Sequence, residues 1–267
     1  MIGTGSFGHV YLGLNPLTGE LLAAKQVELP NNSGSDERRE MMLKALQREI
    51  DLLKDLDHEN IVRYLGSHRD EQHLNIFLEY VPGGSVASML VNYGPFQEPL
   101  VKSYLRQILL GLEYLHGQGI IHRDIKGGNI LVDNRGVIKI SDFGVSKRDE
   151  TEEMMNGNAT HRASLQGSVF WMAPEVVKKQ RYTPKSDIWS LGCLAVEMFT
   201  GDHPFPNLAQ MQAIFKIGSD ESPEIPRNIS EEAQDFLKDT FNLDTECRPT
   251  ANKLLQHAFV STGAHAK

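Results

Sequence analysis

Basic residues are in deficit in this 267-residue chain: 27 Lys and Arg stand against 35 Asp and Glu, a formal charge of −8. Duplex nucleic acid is bound through clustered positive charge, so this balance argues against a nucleic-acid partner. Cysteine is nearly absent. Cys193 and Cys247 are far apart in sequence, which leaves no disulfide framework and points to a reducing compartment, so a cytoplasmic location is expected. Both read as small core residues rather than nucleophiles. No signal-peptide pattern opens the chain. Long apolar runs are lacking as well: the longest, around Leu191 to Phe199, is broken by Glu197, and no membrane span is expected. The ten histidines show no metal-ligand spacing.

What the chain does have is enough apolar residue, 40%, to bury a substantial core, and its length suits a two-lobed domain with one cleft. Its densest chemistry is His122-Arg123-Asp124-Ile125-Lys126-Gly127-Gly128-Asn129, followed after a hairpin by Asp142-Phe143-Gly144. These residues supply a carboxylate to orient a hydroxyl, a lysine for phosphate charge and an Asn/Asp pair for a metal. Phosphoryl transfer asks for positioning and charge neutralisation, which these residue types provide. Ile130 to Val132 and Val137 to Ile140 read as strands joined by the turn Asp133-Asn134-Arg135-Gly136. A turn centred near residues 135 and 136 places Asn129 opposite Asp142. Two oxygen ligands suffice for magnesium only with a nucleotide bound beside them; taken alone, the pair is equally consistent with a surface hairpin.

Gly3-Thr4-Gly5-Ser6-Phe7-Gly8-His9-Val10 fits a glycine-rich loop over phosphates, where missing side chains let backbone N–H groups approach. A dinucleotide-binding loop of the same pattern should open a helix, with an acid about 20 residues on. Glu28 lies at that distance. The context is wrong for it, because Val10 to Leu14, the turn Asn15 to Gly19 and Leu21 to Val27 read as strand, turn, strand. Lys25 lies in the second strand, within an apolar segment where a charge needs a partner. Residues 37 to 56 read as an amphipathic helix with Leu43, Leu46, Ile50 and Leu53 on one stripe. Glu49 lies beside that stripe, positioned to face Lys25, whereas Glu37, Glu40 and Asp51 read as solvated.

In this order, and with Ala173-Pro174-Glu175 beyond, these motifs resemble a eukaryotic protein kinase domain over nearly the whole chain. The resemblance implies an α+β, two-lobed fold: a small N-lobe, about 1–82, with an antiparallel sheet and one helix, and a larger, mainly helical C-lobe, about 83–260, with a tail at 261–267. It implies that Lys25, paired with Glu49, binds ATP phosphates, that Asp124 orients the substrate hydroxyl, and that Lys126 steadies the transferred group. Asn129 and Asp142 would hold Mg²⁺. The nucleotide would lie among Ile2, Gly3, Gly5, Gly8, Val10, Ala23, Leu78, Glu79, Val81 and Leu131, with Leu78 at the back and the Glu79 and Val81 backbones on adenine. Asp187 resembles the buried anchor of the catalytic loop, and Glu175 with Arg248 an internal ion pair. His122 takes a structural role.

Gly127-Gly128 and Gly167 to Glu175 resemble more narrowly a fungal MAP kinase kinase kinase. Lys126 two residues after Asp124, and a small Ser168, resemble serine/threonine rather than tyrosine kinases. A MAP kinase kinase is then the expected substrate, with an upstream activating kinase and a scaffold as partners. Three alternatives are a kinase of a neighbouring tier, a pseudokinase, which the complete residue set opposes, and a nicotinamide enzyme, which the strand after Gly8 opposes.

Residues 61 to 66 and 74 to 81 read as further strands; Leu100 to Gln118, Pro184 to Thr200, Leu208 to Ile217 and Ser230 to Asn242 read as helices. The polar, hydroxyl-rich segment from Val145 to Met172 reads as disordered when unmodified. Phosphate on Thr160 or Ser164 is expected to pair with Arg123 and order it. Ser168 is expected to bond both Asp124 and Lys126. Family members carry a strand ahead of Gly3, so the first strand reads as truncated, with an exposed sheet edge and weakened ATP affinity expected.

Overall fold

The computed structural model describes residues 1–5, 8–29, 36–143, 146–148, 168–180 and 182–261. Its N-lobe is built from β1 (Gly3–Gly5), β2 (Gly8–Leu14), β3 (Leu21–Glu28), helix α1 (Asp36–Leu53), β4 (Tyr64–Arg69) and β5 (His73–Glu79). The five strands form one antiparallel sheet in the order β1-β2-β3-β5-β4. The β2–β3 turn closes on itself: Asn15 N–H donates to Glu20 O, Gly19 N–H donates to Asn15 O, both at 2.8 Å, and Gly19 takes the left-handed φ of 73° that glycine adopts without strain. Val27, Leu29, Leu74 and Ile76 from the sheet side meet Leu46 and Ile50 of α1 in a small core. That packing turns the neighbouring Glu49 inward, while Asp51 stays exposed.

β1 pairs with β2 from Gly3↔Val10 to Gly5↔Gly8, and Ile2 N–H donates to Val10 O at 2.8 Å. Tyr11 to Leu14 pair with β3 alone, and Leu12, Leu14 and Leu21 are exposed there. The helix expected over 37 to 56 stops at Leu53. The strand expected from residue 61 starts at Tyr64, because Asn60 and Val62 bond across to Ile140 of the other lobe instead, at 2.9 and 3.0 Å.

The C-lobe continues with α2 (Val86–Tyr93), α3 (Glu98–Gly117), β6 (Ile120–Ile121), β7 (Ile130–Val132), β8 (Ile138–Ile140) and β9 (Lys147–Arg148). Helices α4 (Pro174–Val177), α5 (Pro184–Thr200), α6 (Gln210–Gly218), α7 (Glu231–Thr240) and α8 (Ala251–Leu255) follow. The short α2, α4 and α8 have too few turns to show a hydrophobic period, and none was expected from the sequence. Helix α5 begins where Thr183 caps it and Pro184 takes the first position, and ends at Gly201 in a left-handed conformation, φ 80°. Every residue from Ser186 to Phe199 is buried, as befits a helix that is apolar nearly all round. It forms the spine of the main core with Leu105, Ile108, Leu112, Phe236 and Leu254 around it. Cys193 lies in that core, but Cys247 is exposed, contrary to expectation, with its thiol bonded to Asp244. Among the described residues no helix is long and apolar enough to cross a membrane.

Candidate active site

The lobes meet over a cavity of about 400 Å³. Ile2, Gly3, Thr4, Val10 and Ala23 line it from the sheet, Leu78 and Glu79 from the end of β5, Tyr80 to Pro82 from the segment that follows, and Leu131 from β7 below. Lys25, Glu49, Asn129 and Asp142 stand together at its polar end. Gly8 does not line it. A Cβ on Gly8 would lie 2.0 Å from the Gln26 carbonyl oxygen, so glycine there is demanded by the close approach of β2 to β3. The sequence reading did not assign Thr4, Leu53, Val62, Tyr80, Pro82, Gly84, Ser85, Ser88, Gly128, Ser141 or Phe143 to the lining.

Lys25 is 4% exposed on the central strand, and its ammonium lies 2.6 Å from Glu49 Oε1 and 3.2 Å from Asp142 Oδ1. Burial alone would lower its pKa; the carboxylates of Asp142 and Glu49 outweigh burial and hold it above the ordinary lysine value. The ammonium is therefore a fixed positive charge facing the cavity.

The hairpin carrying the metal candidates has Ile130↔Ile140 and Val132↔Ile138 in register. This corrects the expected pairing by one residue: Asn129 lies opposite Ser141, whose N–H and hydroxyl both donate to Asn129 O at 2.9 Å. Asp142 follows with a left-handed φ of 61°. That turn of the backbone, invisible in the residue pattern, brings its carboxylate to the cavity beside Asn129. The loop of the hairpin is held by Asp133 Oδ1, which accepts from Arg135 and Val137 N–H at 2.7 and 2.8 Å.

Below lies the catalytic-loop cluster. Asp124 Oδ2 accepts from Lys126 Nζ and from Asn129 Nδ2, each at 2.8 Å, and the Asn129 amide also donates to Asp124 O at 2.8 Å. Asp124 Oδ1 takes no hydrogen bond from a described residue. Lys126 donates further to Ser168 Oγ at 2.7 Å. Ser168 thus meets Lys126 directly and Asp124 only through that ammonium, which corrects the expectation of bonds to both. Asp187, fully buried, accepts from the N–H groups of His122 and Arg123 at 2.9 and 2.8 Å and bonds His116 Nε2 at 2.9 Å. Those bonds support the strained φ of 72° at Arg123. His122 packs edge-on against Phe143, centroids 5.0 Å apart, and its ring bonds Ser141 O, the structural role expected of it.

Glu175 and Arg248 form the expected buried pair at 2.8 and 3.2 Å. The described parts of the 145 to 172 segment are structured: Lys147–Arg148 pair with β6, and Val169–Trp171 form a 3-10 turn with Val169 in a small core beside α6. Thr160, Ser164 and Gly167 lie outside the described residues. Glu197 and Trp171, bonded to each other beside the catalytic loop at 2.9 Å, were not anticipated as site residues. The available signal was a lone glutamate interrupting an apolar helical run.

A sheet-roofed cleft between two lobes, with a fixed cation above and a carboxylate–lysine pair below, defines a two-lobed phosphotransferase. The protein kinase domain model matches residues 1–260, and the chain belongs to that family. It is 61% identical, over 98% of its length, to the mitogen-activated protein kinase kinase kinase MST11 of Pyricularia oryzae. To the serine/threonine-protein kinase STE11 of Saccharomyces cerevisiae it is 52% identical over 97% of its length. Mitogen-activated protein kinase kinase kinase 2 of Arabidopsis thaliana is 48% identical over 98%. The chain spans 29%, 41% and 40% of the lengths of these relatives.

Proposed function

We propose that this domain transfers the γ-phosphoryl group of ATP to a serine or threonine hydroxyl of a MAP kinase kinase in the cytoplasm. The observation that carries the reading is the asymmetry of Asp124. Its Oδ2 is occupied by Lys126 and Asn129, and its Oδ1 is left to accept the proton of an incoming hydroxyl. As the substrate hydroxyl oxygen bonds to the γ-phosphorus, the bond from that phosphorus to the bridging oxygen of the departing ADP breaks and the hydroxyl proton passes to Asp124 Oδ1. An ammonium has three donors; Lys126 uses two on Asp124 and Ser168, and the third serves a phosphoryl oxygen. Lys25 holds the nucleotide's phosphates, and the apolar lining holds its base.

Asn129 and Asp142 suit Mg²⁺. The Asn129 amide nitrogen is committed to Asp124, which leaves its carbonyl oxygen as a hard ligand at the cavity. Among the described residues no three His, Cys, Asp or Glu side chains gather as a metal site; nucleotide oxygens and water would complete the shell of the ion. When bound, it would neutralise phosphate charge. The names of the relatives support the cascade tier, and an upstream kinase and a scaffold complete the proposed setting.

The test is transfer of labelled γ-phosphate to a MAP kinase kinase by wild type, Asp124→Asn and Asp142→Asn. Losses of about a hundredfold or more are expected for both variants; equal labelling by all three sinks the assignment.

A further inference from the structure

Helix α5 buries two carboxylates, Asp187 and Glu197, and both meet the catalytic loop. Asp187 holds its start, at His122 and Arg123. Glu197 Oε2 accepts the N–H of Gly127, the residue after Lys126, at 3.1 Å. The same oxygen accepts the indole N–H of Trp171 at 2.9 Å. Trp171 ends the 3-10 turn that starts one residue after Ser168, and Ser168 accepts from Lys126. The contacts close a ring: Glu197, Gly127, Lys126, Ser168, Trp171 and back to Glu197.

Gly127 is part of the same device. A Cβ there would lie 2.4 Å from Glu197 Oε1 and 3.1 Å from the Ala87 nitrogen, so the missing side chain is the room the carboxylate occupies. The ring continues outward, since Trp171 lies edge-on to Phe170, and Phe170 stacks on His203 with centroids 3.8 Å apart.

We infer that Glu197 is a positioning residue of the phosphotransfer site: by tying the backbone after Lys126 to the turn after Ser168, it keeps the Lys126 ammonium within reach of Asp124 and Ser168 together. The inference rests on the kinase reading above. Its ionised form ties more strongly, because both donors converge on one oxygen and hydrogen bonds to a carboxylate are about twice as strong as those to a neutral carboxyl. Burial raises the Glu197 pKa to about 6, against the Gly127 N–H, the Trp171 indole and the Lys126 charge. Asp202, in the loop after α5, adds to the rise, and Cys193 lies one turn back on the same helix, with its thiol held neutral. The tie should therefore slacken as pH falls through that value.

Glu197→Gln keeps the shape and removes the charge. The expected result is a kcat lowered about tenfold or more by misplacement of Lys126, with KM for ATP little changed and thermal stability at neutral pH equal to wild type or higher. Wild-type activity should decline as pH falls through about 6, a limb that Glu197→Gln lacks. Trp171→Phe, which removes the indole donor and keeps an aromatic ring of smaller size, should lower kcat in the same direction, and the double variant should be no worse than the poorer single one. In NMR spectra the wild-type Trp171 indole N–H resonance should titrate with the same midpoint, and stay fixed in Glu197→Gln. An unchanged kcat and pH profile in Glu197→Gln, or a kcat loss that merely follows lost stability, overturns the inference. If wild type transfers no phosphate, the kinase reading falls, and the indole titration alone decides: a flat wild-type resonance overturns the tie, a titrating one upholds it.

Discussion

Asp187 and Glu197 share one helix and full or near-full burial, yet their carboxyls are pushed in opposite directions. For Asp187, burial by itself would raise the pKa, but the His116 bond, the charge of His116 and His122, and the Arg123 N–H together lower it from 3.8. A depressed pKa means that the unfolded chain binds the proton more readily, so Asp187 contributes stability above 3.8 that is lost as pH falls through the lower folded value. Glu197 moves from 4.5 to about 6. There the folded state binds the proton more readily, so its contribution is present below 4.5 and disappears as pH rises through about 6, an effect on the order of 2 kcal/mol. Urea denaturation across pH should then show Asp187→Asn weakest relative to wild type at neutral pH, with the gap closing below 3.8. Glu197→Gln should gain on wild type between pH 4.5 and 6. A stability difference that stays constant over either window excludes the corresponding shift. Keeping Glu197 ionised at neutral pH thus costs stability for the sake of a fixed Lys126.

Among the elements, the sheet and its glycine strand test how far packing, rather than ligand contact, dictates sequence. Gly3 has open space where a Cβ would stand, whereas the Cβ of an alanine at position 8 would lie 2.0 Å from a backbone oxygen of β3. Backbone cannot swing aside as a side-chain tip does, so Gly8→Ala must part β2 from β3. A loss of about 1 to 3 kcal/mol is expected for overpacking of this kind, with a raised KM for ATP as the roof lifts. Gly3→Ala should stay within about 0.5 kcal/mol of wild type. Comparable unfolding midpoints for the two would remove the packing explanation. The same region marks what was legible in the residues and what was not. The strand–turn–strand reading of Val10 to Val27, the inward Glu49 and the helix Pro184–Thr200 followed from hydrophobic period and punctuation, and all are present. The hairpin register came out one residue off because the turn is a three-residue loop, closed by Asp133 N–H to Val137 O with Gly136 at a left-handed φ of 82°; Asp142 then reaches the cavity through its own left-handed φ, a backbone choice that a non-glycine residue does not announce. Glu197 was noticed only as an interruption of an apolar run, since its partners Gly127 and Trp171 are distant in sequence and one of its bonds is to backbone.

At the scale of the whole molecule, the lobes are joined by more than the strand that lines the cavity. Between α1 and β4 the chain crosses onto the C-lobe: Asp57 N–H donates to Tyr114 OH at 3.0 Å, His58 stacks on Tyr114 at 4.9 Å, and Val62 N–H reaches Ile140 O. Asn60 is the centre of this seam. It is 3% exposed, its carbonyl accepts from Ile140 N–H at 2.9 Å and its side chain donates to Ile138 O at 3.0 Å. Because Glu49 precedes the seam on α1 and Asp142 follows β8, the seam sets the distance between the two carboxylates that share Lys25. Asn60→Ala leaves the backbone bonds in place and orphans a buried carbonyl at Ile138, at a cost of about 1 to 3 kcal/mol. The expected consequences go beyond that figure. Held to β8 by the backbone bonds alone, α1 should let Glu49 drift from Lys25, so KM for ATP should rise severalfold while the Asp124 cluster, wholly within the C-lobe, stays intact. Hydrogen exchange should quicken in α1 and β3 and remain slow in α3 and α5. Uniform quickening in both lobes, or an unchanged KM for ATP in a destabilised variant, would show that the seam supports stability alone and that another contact positions Glu49.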